Sequence, residues 1–151
     1  MRLVIVCLLV LTSGCAREIP PCPFGGEQVT ALSAGCLAVQ KDAILVVENP
    51  RGLVGPPGGS AAPGEGAQCT AHRETFEETG LSLAPGALFH TFDTGFHLYF
   101  CDLTDSSGAI STDHTWEVAR AYWLPLKDFD AVRWRFEGQG EEILRRLNIV
   151  E

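Results

Sequence analysis

The sequence predicts a single α+β domain built around a mixed β-sheet. Its 151 residues match the size of one domain. The composition, 46% apolar and 20% charged, supplies one core and excludes long-range disorder or a multi-pass membrane protein. β-rich runs and helical stretches are mixed, with no regular βαβ alternation and no internal repeat.

The elements follow in chain order. Residues 16–30 carry Pro20, Pro21, Pro23, Gly25 and Gly26 and read as an irregular tether. Cys36–Gln40 is a short apolar strand, Lys41-Asp42 a turn, and Ala43–Val47 a second β-rich run. Prolines and glycines across 49–66 predict loop. Residues 66–79 can be helical, and Gly80 suits the left-handed C-terminal cap. Ala87–Leu103 reads as two strands broken near Asp93-Thr94-Gly95. Trp116–Leu124 is another strand, ended by Pro125. Glu141–Leu147 is a last helix with Ile143, Leu144 and Leu147 on one side.

Charge narrows the partners. Eleven Lys and Arg against 19 Asp and Glu give a net charge of -8. Such a chain has no general attraction for nucleic acid or an anionic membrane surface, so no nucleic acid partner is expected. A phosphate substrate would need a local attractor such as a divalent cation. The sequence assigns no oligomeric state.

The N-terminus has its own pattern: Met1-Arg2, an apolar run from Leu3 to Leu11, then Thr12-Ser13-Gly14-Cys15. Nine apolar residues are too few for a bilayer core, which needs roughly 20 helical residues, and read as a secretory signal. The segment resembles a bacterial lipoprotein signal, with Thr12 where such signals usually carry leucine. That resemblance implies lipidation at Cys15 and an envelope location, anchored by lipid and facing the periplasm or exterior. An ordinary signal peptide and a buried apolar first strand remain the other readings. The expected organisation is a signal over 1–14, a lipidated cysteine and tether over 15–33, and the folded domain over 34–151. Six cysteines stand at 7, 15, 22, 36, 69 and 101. Cys22 and Cys36 flank the start of the fold and are the disulfide candidates, with Cys69 and Cys101 expected as buried free thiols. Without a CxxC pair, no structural zinc site is expected.

The chemistry concentrates between Gly59 and Leu81. On the expected helix Glu74, Glu77 and Glu78 stand at i, i+3 and i+4, within a 100° arc. Packed carboxylates repel, and hard oxygen donors at this spacing suit Mg²⁺ or Mn²⁺. Gly58 and Gly59 let the backbone approach that face, which brings a main-chain carbonyl within reach of a metal. Glu65 precedes the helix and is placed to accept from Arg73 or to order the loop.

Gly59, Glu65, Arg73, Glu74, Glu77, Glu78, Gly80 and Leu81 resemble the Nudix box, G-x5-E-x7-R-E-U-x-E-E-x-G-U, where U is a bulky aliphatic residue. Thr75 departs from the first U. The flanks agree: Val46-Val47, Pro57-Gly58-Gly59 and Pro63-Gly64-Glu65 before the box, and Glu117–Leu126 after it. At about 6% per residue type, the seven fixed Gly, Glu and Arg positions would coincide on the order of once in 10⁸ to 10⁹ windows, so the spacing outweighs a merely solvated acidic helix.

The resemblance implies a Nudix-like α/β/α sandwich with a mixed β-sheet between helices. It also implies metal-dependent hydrolysis of a nucleoside diphosphate linked to another group, X, by water attack at phosphorus. Glu74, Glu77 and Glu78 and the Gly58 carbonyl would hold Mg²⁺ or Mn²⁺. Arg73 would orient the glutamates, and Glu65 and Gly59 would support them. The general base is a box glutamate or Glu117. Arg51 and Tyr99 are the substrate-binding candidates, Tyr99 because family members acting on dinucleoside polyphosphates often carry tyrosine eighteen residues past the box. Trp116, Trp123, Trp134, Phe96 and Phe136 are candidates to stack on a base, and Arg133 and Arg135 to meet a phosphate. A silent diphosphate-binding envelope lipoprotein is the alternative.

Overall fold

A computed structural model describes residues 18–113 and 115–147; the signal-like segment 1–14 and Cys15 lie outside them. Among the described residues nine strands and two α-helices follow one another as β1 (Ser33–Leu37), β2 (Val39–Gln40), β3 (Ala43–Glu48), β4 (Leu53–Gly55), β5 (Gly58–Ser60), α1 (Ala67–Thr79), β6 (Leu83–Thr91), β7 (Phe96–Leu103), β8 (Arg120–Pro125), a 3₁₀ helix (Leu126–Ala131), β9 (Arg133–Trp134) and α2 (Gln139–Arg146). The strands form two sheets. One has the order β5-β1-β7-β6, with β1 and β7 parallel and the other pairs antiparallel. In the other, β3 pairs with β2 and β4, β8 runs antiparallel along its whole length, and β4 lies parallel to β9.

Side chains alternate across a strand, and this alternation divides the core. Cys36, Leu45, Tyr99 and Cys101 face one cluster with Ala67 and Ala71 of α1. Their neighbours Leu37, Ile44, Val46 and Leu98 face a second cluster with Phe129 of the 3₁₀ helix and Ile143 of α2. Helices thus cover both sides of mixed β-structure, the α/β/α arrangement expected from the sequence. Leu37, Ile44 and Leu98 are fully buried, each contributing about 1.5–3 kcal/mol relative to an exposed side chain.

Helix α1 has no side-chain N-cap; instead its first N–H, on Ala67, donates to the Val29 carbonyl at 2.7 Å. It ends where Gly80 adopts φ 71° and returns its N–H to Phe76 O at 2.8 Å, a conformation that costs glycine no Cβ clash.

Several boundaries move. Residues 49–66 hold β4 and β5 as well as loop; three-residue strands exist through pairing with β3, β9 and β1, which local composition does not encode. Strand β6 begins at Leu83 and passes Pro85 with register irregularities between Pro85 and His90. Strand β8 begins only at Arg120, leaving Trp116 85% exposed, and includes Pro125, opposite Ala43. Helix α2 starts at Gln139 rather than Glu141.

The cysteine expectation is corrected. Cys22 bonds Cys69 and Cys36 bonds Cys101, so neither a Cys22–Cys36 pair nor free thiols at 69 and 101 are found. Cys36 stands opposite Tyr99 in the β1–β7 ladder, and Cys101 lies two residues on, facing the same cluster. The lead-in runs along α1: Pro20 O lies 3.0 Å from His72 Nε2, and Val29 N donates to Gln68 Oε1 at 3.4 Å. That course delivers Cys22 to Cys69, while β1 carries Cys36 fully into the core.

Candidate active site

Helix α1 buries its small residues and turns its charged ones toward β5. Arg73 organises them. Its Nε and Nη2 donate to the two oxygens of Glu65, each at 2.8 Å, a bidentate pair. Nη2 also donates to Ser60 O at 2.9 Å, and Nη1 to Glu74 Oε1 at 2.7 Å and Glu77 Oε2 at 3.4 Å. Glu65 further accepts from the Ala62 N–H and the Thr70 hydroxyl, both at 2.9 Å. One guanidinium therefore ties the loop before the helix to the first carboxylate of the cluster. The Arg73 bond holds Glu65 down at about 2, although burial opposes it.

Glu74 passes directly over Gly59. A Cβ on Gly59 would lie 2.3 Å from Glu74 Oε2, so only glycine permits this approach. Glu78, one turn on, is 6% exposed and accepts from the Gly58 N–H at 2.7 Å. Burial pushes its carboxyl up to about 8; the Gly58 bond and Arg135 oppose this, and Glu74 and Glu117 add to it. Burial also raises Glu74, with Arg73 opposing and the charges of Glu77 and Glu117 adding.

These groups line a cleft of about 460 Å³ whose walls include Asn49, Glu74, Glu78, Glu117 and Arg135. Glu117, far from the box in sequence, stands with the box carboxylates. Glu77 does not line the cleft; its side chain, 41% exposed, leans on Arg73 at the helix shoulder. Gly58 lines it, and the bond it makes there is through its N–H.

The two substrate-binding candidates lie outside the lining of this cleft. Tyr99 is 2% exposed, packed with Cys36 and Leu45 in the core under α1, because its position in β7 points it inward. Arg51 sits at the exposed β3–β4 turn, held by Asn49 Oδ1 through the N–H groups of Arg51 and Leu53, and lies outside the cleft lining. Of the two later arginines, Arg133 donates to the Arg51 carbonyl at 3.1 Å, while Arg135 enters the cleft. Trp134 is structural, donating to Phe129 O and packing on its ring at 4.9 Å. Asn49 and Ser60 carried no sequence signal, since only folding brings their segments to α1.

A hard cation fits this donor set by chemistry. Three carboxylates share one cleft, and Glu78 holds a proton to about pH 8 when no cation offsets its burial. Among the described residues no three His, Cys, Asp or Glu side chains already converge as a finished metal cage. Arg73 draws Glu74 and Glu77 aside, so a metal would compete with that guanidinium.

The family model described as NUDIX domain matches residues 29–147. The chain belongs to the Nudix family. This Nudix domain is similar in fold to a NUDIX hydrolase from Nitrosomonas europaea, with a TM-score of 0.62 and 22% identity over 78% of this chain and 88% of that one. It is also similar to an ADP-ribose pyrophosphatase from Streptococcus suis (TM-score 0.64, 20% identity, 79% and 87% coverage). A third structure with this fold is a C. elegans Ap4A hydrolase (TM-score 0.59, 20% identity, 79% and 96% coverage). No curated protein matches the sequence. At these identities the likeness establishes the Nudix fold.

Proposed function

We propose that this Nudix domain hydrolyses a diphosphate bond in a nucleoside diphosphate linked to another group, X, with Mg²⁺ or Mn²⁺. The observation that carries this is the buried Glu78 facing Glu74 and Glu117 in one open cleft, with Arg135 on its wall. Glu74 and Glu78 would hold the cation, with the Gly58 carbonyl as a further ligand; Glu77 would join them only by leaving Arg73, since its side chain stands outside the cleft lining. A divalent cation there neutralises phosphate oxygens and acidifies the attacking water. Arg73, locked by Glu65, orients Glu74. Arg135 offers the cleft a cation for a phosphate oxygen. Glu117, which lines the same cleft, would accept the proton of the attacking water. The name of one structural neighbour, an ADP-ribose pyrophosphatase, supports the substrate class.

The test is turnover by protein beginning after Cys15, with Mg²⁺ or Mn²⁺, on ADP-ribose, nucleotide sugars, dinucleoside polyphosphates, nucleoside triphosphates and an isoprenoid diphosphate. Metal-dependent cleavage abolished by Glu78→Gln is expected. Near-normal turnover in that variant rejects the assignment.

The proposal extends to location: a signal over 1–14, lipidation at Cys15 and an envelope site anchored to the membrane. Its support is the N-terminal pattern and the two disulfides, which suit an oxidising compartment. The mass of the mature N-terminal peptide tests it; an unprocessed Met1 rejects it.

A further inference from the structure

Residues 18–28 stand ahead of the Nudix domain, yet they are bonded to the helix that carries its box. The lead-in runs as a strap along the N-terminal half of α1. Pro20 O meets His72 Nε2, and Cys22 is joined to Cys69. Gln28 Nε2 donates to Cys69 Sγ at 3.0 Å. Val29 clasps the helix start: its carbonyl accepts from the Ala67 N–H, and its N–H donates to Gln68 Oε1. Leu32 O then accepts from the Ala61 N–H at 3.0 Å, in the loop before the helix. The strap crosses at Gly66, where a Cβ would lie 2.7 Å from Gln28 Cβ.

The strap does for α1 what a capping side chain does elsewhere. Gly66 offers no side chain, and the Ala67 N–H, which a helix start leaves unpaired, is satisfied by Val29. Another face of the same two turns holds the box charges. Thr70, beside Cys69, donates to Glu65, and Arg73, beside His72, holds Glu65 and Glu74. The two disulfides differ in access. Cys36 and Cys101 lie in the core, whereas Cys22 and Cys69 are half-buried and the Gln28 bond to Sγ is open to solvent. Cys69 stands in the first turn of α1, where the helix dipole favours a thiolate, and the Gln28 N–H supports the same sulfur.

We propose that Cys22–Cys69 is a redox-modification site, a latch whose reduction by a dithiol frees the strap and slackens the box. One thiolate of the dithiol attacks Cys22 Sγ; a mixed disulfide forms and Cys69 leaves as the thiolate. The second thiolate displaces Cys22, and the dithiol closes to its own disulfide. The Cys22–Cys69 bond thus gains two electrons, and the two sulfurs take the two protons that the dithiol gives up. Residues 18–29 then hang on hydrogen bonds alone, and the Ala67 N–H loses its partner as they leave. The core keeps Cys36–Cys101 between β1 and β7. The effect on turnover rests on the hydrolase reading above; the latch itself does not.

The test treats the oxidised protein with graded dithiothreitol, alkylates the free thiols and maps them by peptide mass. Cys22 and Cys69 are expected to be labelled about tenfold or more faster than Cys36 and Cys101. In that partly reduced state hydrogen exchange at the Ala67 amide is expected to quicken by about tenfold or more, with the amides of β1 and β7 unchanged. The value of kcat/KM is expected to fall by about tenfold through displacement of Glu74, and reoxidation to restore it. Cys22→Ser, a change outside the box, is expected to reproduce the faster exchange and the lower kcat/KM without reductant. Labelling of all four cysteines together, or an Ala67 amide that exchanges no faster on reduction, overturns the inference. So does full turnover in Cys22→Ser. A native protein without turnover counts against the hydrolase reading instead, and labelling and exchange still decide the latch.

Discussion

Replacing Glu78 with glutamine exchanges a buried carboxyl that titrates at about 8 for a neutral amide of the same shape. The amide oxygen can still accept the Gly58 N–H that Glu78 Oε2 accepts at 2.7 Å. In the metal-free protein the folded state holds this proton more tightly than the unfolded chain, whose glutamates titrate near 4.5. The contribution to stability is therefore fully present below 4.5 and is lost as pH rises toward 8. At 1.36 kcal/mol per pH unit the loss is about 3 kcal/mol by pH 7 and about 5 kcal/mol by pH 9. That is a large part of a domain's usual 5–15 kcal/mol. The assay is denaturant unfolding in EDTA at pH 5.5, 7 and 9, with disulfides intact, for native protein and Glu78→Gln. Between pH 5.5 and 9 the native protein is expected to lose about 3 kcal/mol more than the variant. Adding Mg²⁺ at pH 9 restores the native protein alone. Parallel stability curves for the two proteins would refute the reasoning, because the buried carboxylate would then cost nothing to ionise.

At the acid end the sign reverses. The Arg73 bond holds Glu65 at about 2, so its contribution is present above 4.5 and lost as pH falls toward 2; Glu65→Gln should flatten that acid limb, and an unchanged limb counts against the pair. Gly59→Ala puts a Cβ 2.3 Å from Glu74 Oε2 and should cut kcat/KM by about a hundredfold through misplacement of Glu74, whereas a loss under threefold would show the carboxylate tolerates displacement. Thr75 is fully buried with an unpartnered hydroxyl, so Thr75→Val should stabilise by about 1 kcal/mol in thermal unfolding without altering turnover; destabilisation contradicts it. Non-reducing peptide mapping should recover Cys22 joined to Cys69 and Cys36 to Cys101. Loops of 47 and 65 residues give each bridge about 4 kcal/mol by chain entropy, and a Cys22–Cys36 peptide refutes the pairing.

The carboxylate helix was legible because its information is local. Glu74, Glu77 and Glu78 share a face through helical periodicity alone, and Gly80 stops the helix through its own backbone freedom. Even Glu65 and Arg73, eight residues apart, meet because one turn of loop precedes the helix. The same local logic failed at Cys22 and Cys36, where nearness in sequence suggested a bridge. The β1–β7 ladder instead set Cys36 beside Cys101, and the lead-in carried Cys22 to α1. Spacing was silent on the surroundings of Tyr99, which its register in β7 turns into the core.

What the sequence determined by itself is the set of carboxylates, their spacing, the helix that presents them and hence the family. What only the tertiary structure decided is the environment of that set. Glu117 and Arg135 reach Glu78 from segments about 40 and 60 residues away in the chain. The burial that raises Glu78 exists only once the sheets close. Periodicity is a property of neighbouring residues, whereas desolvation and cleft shape arise where distant segments pack.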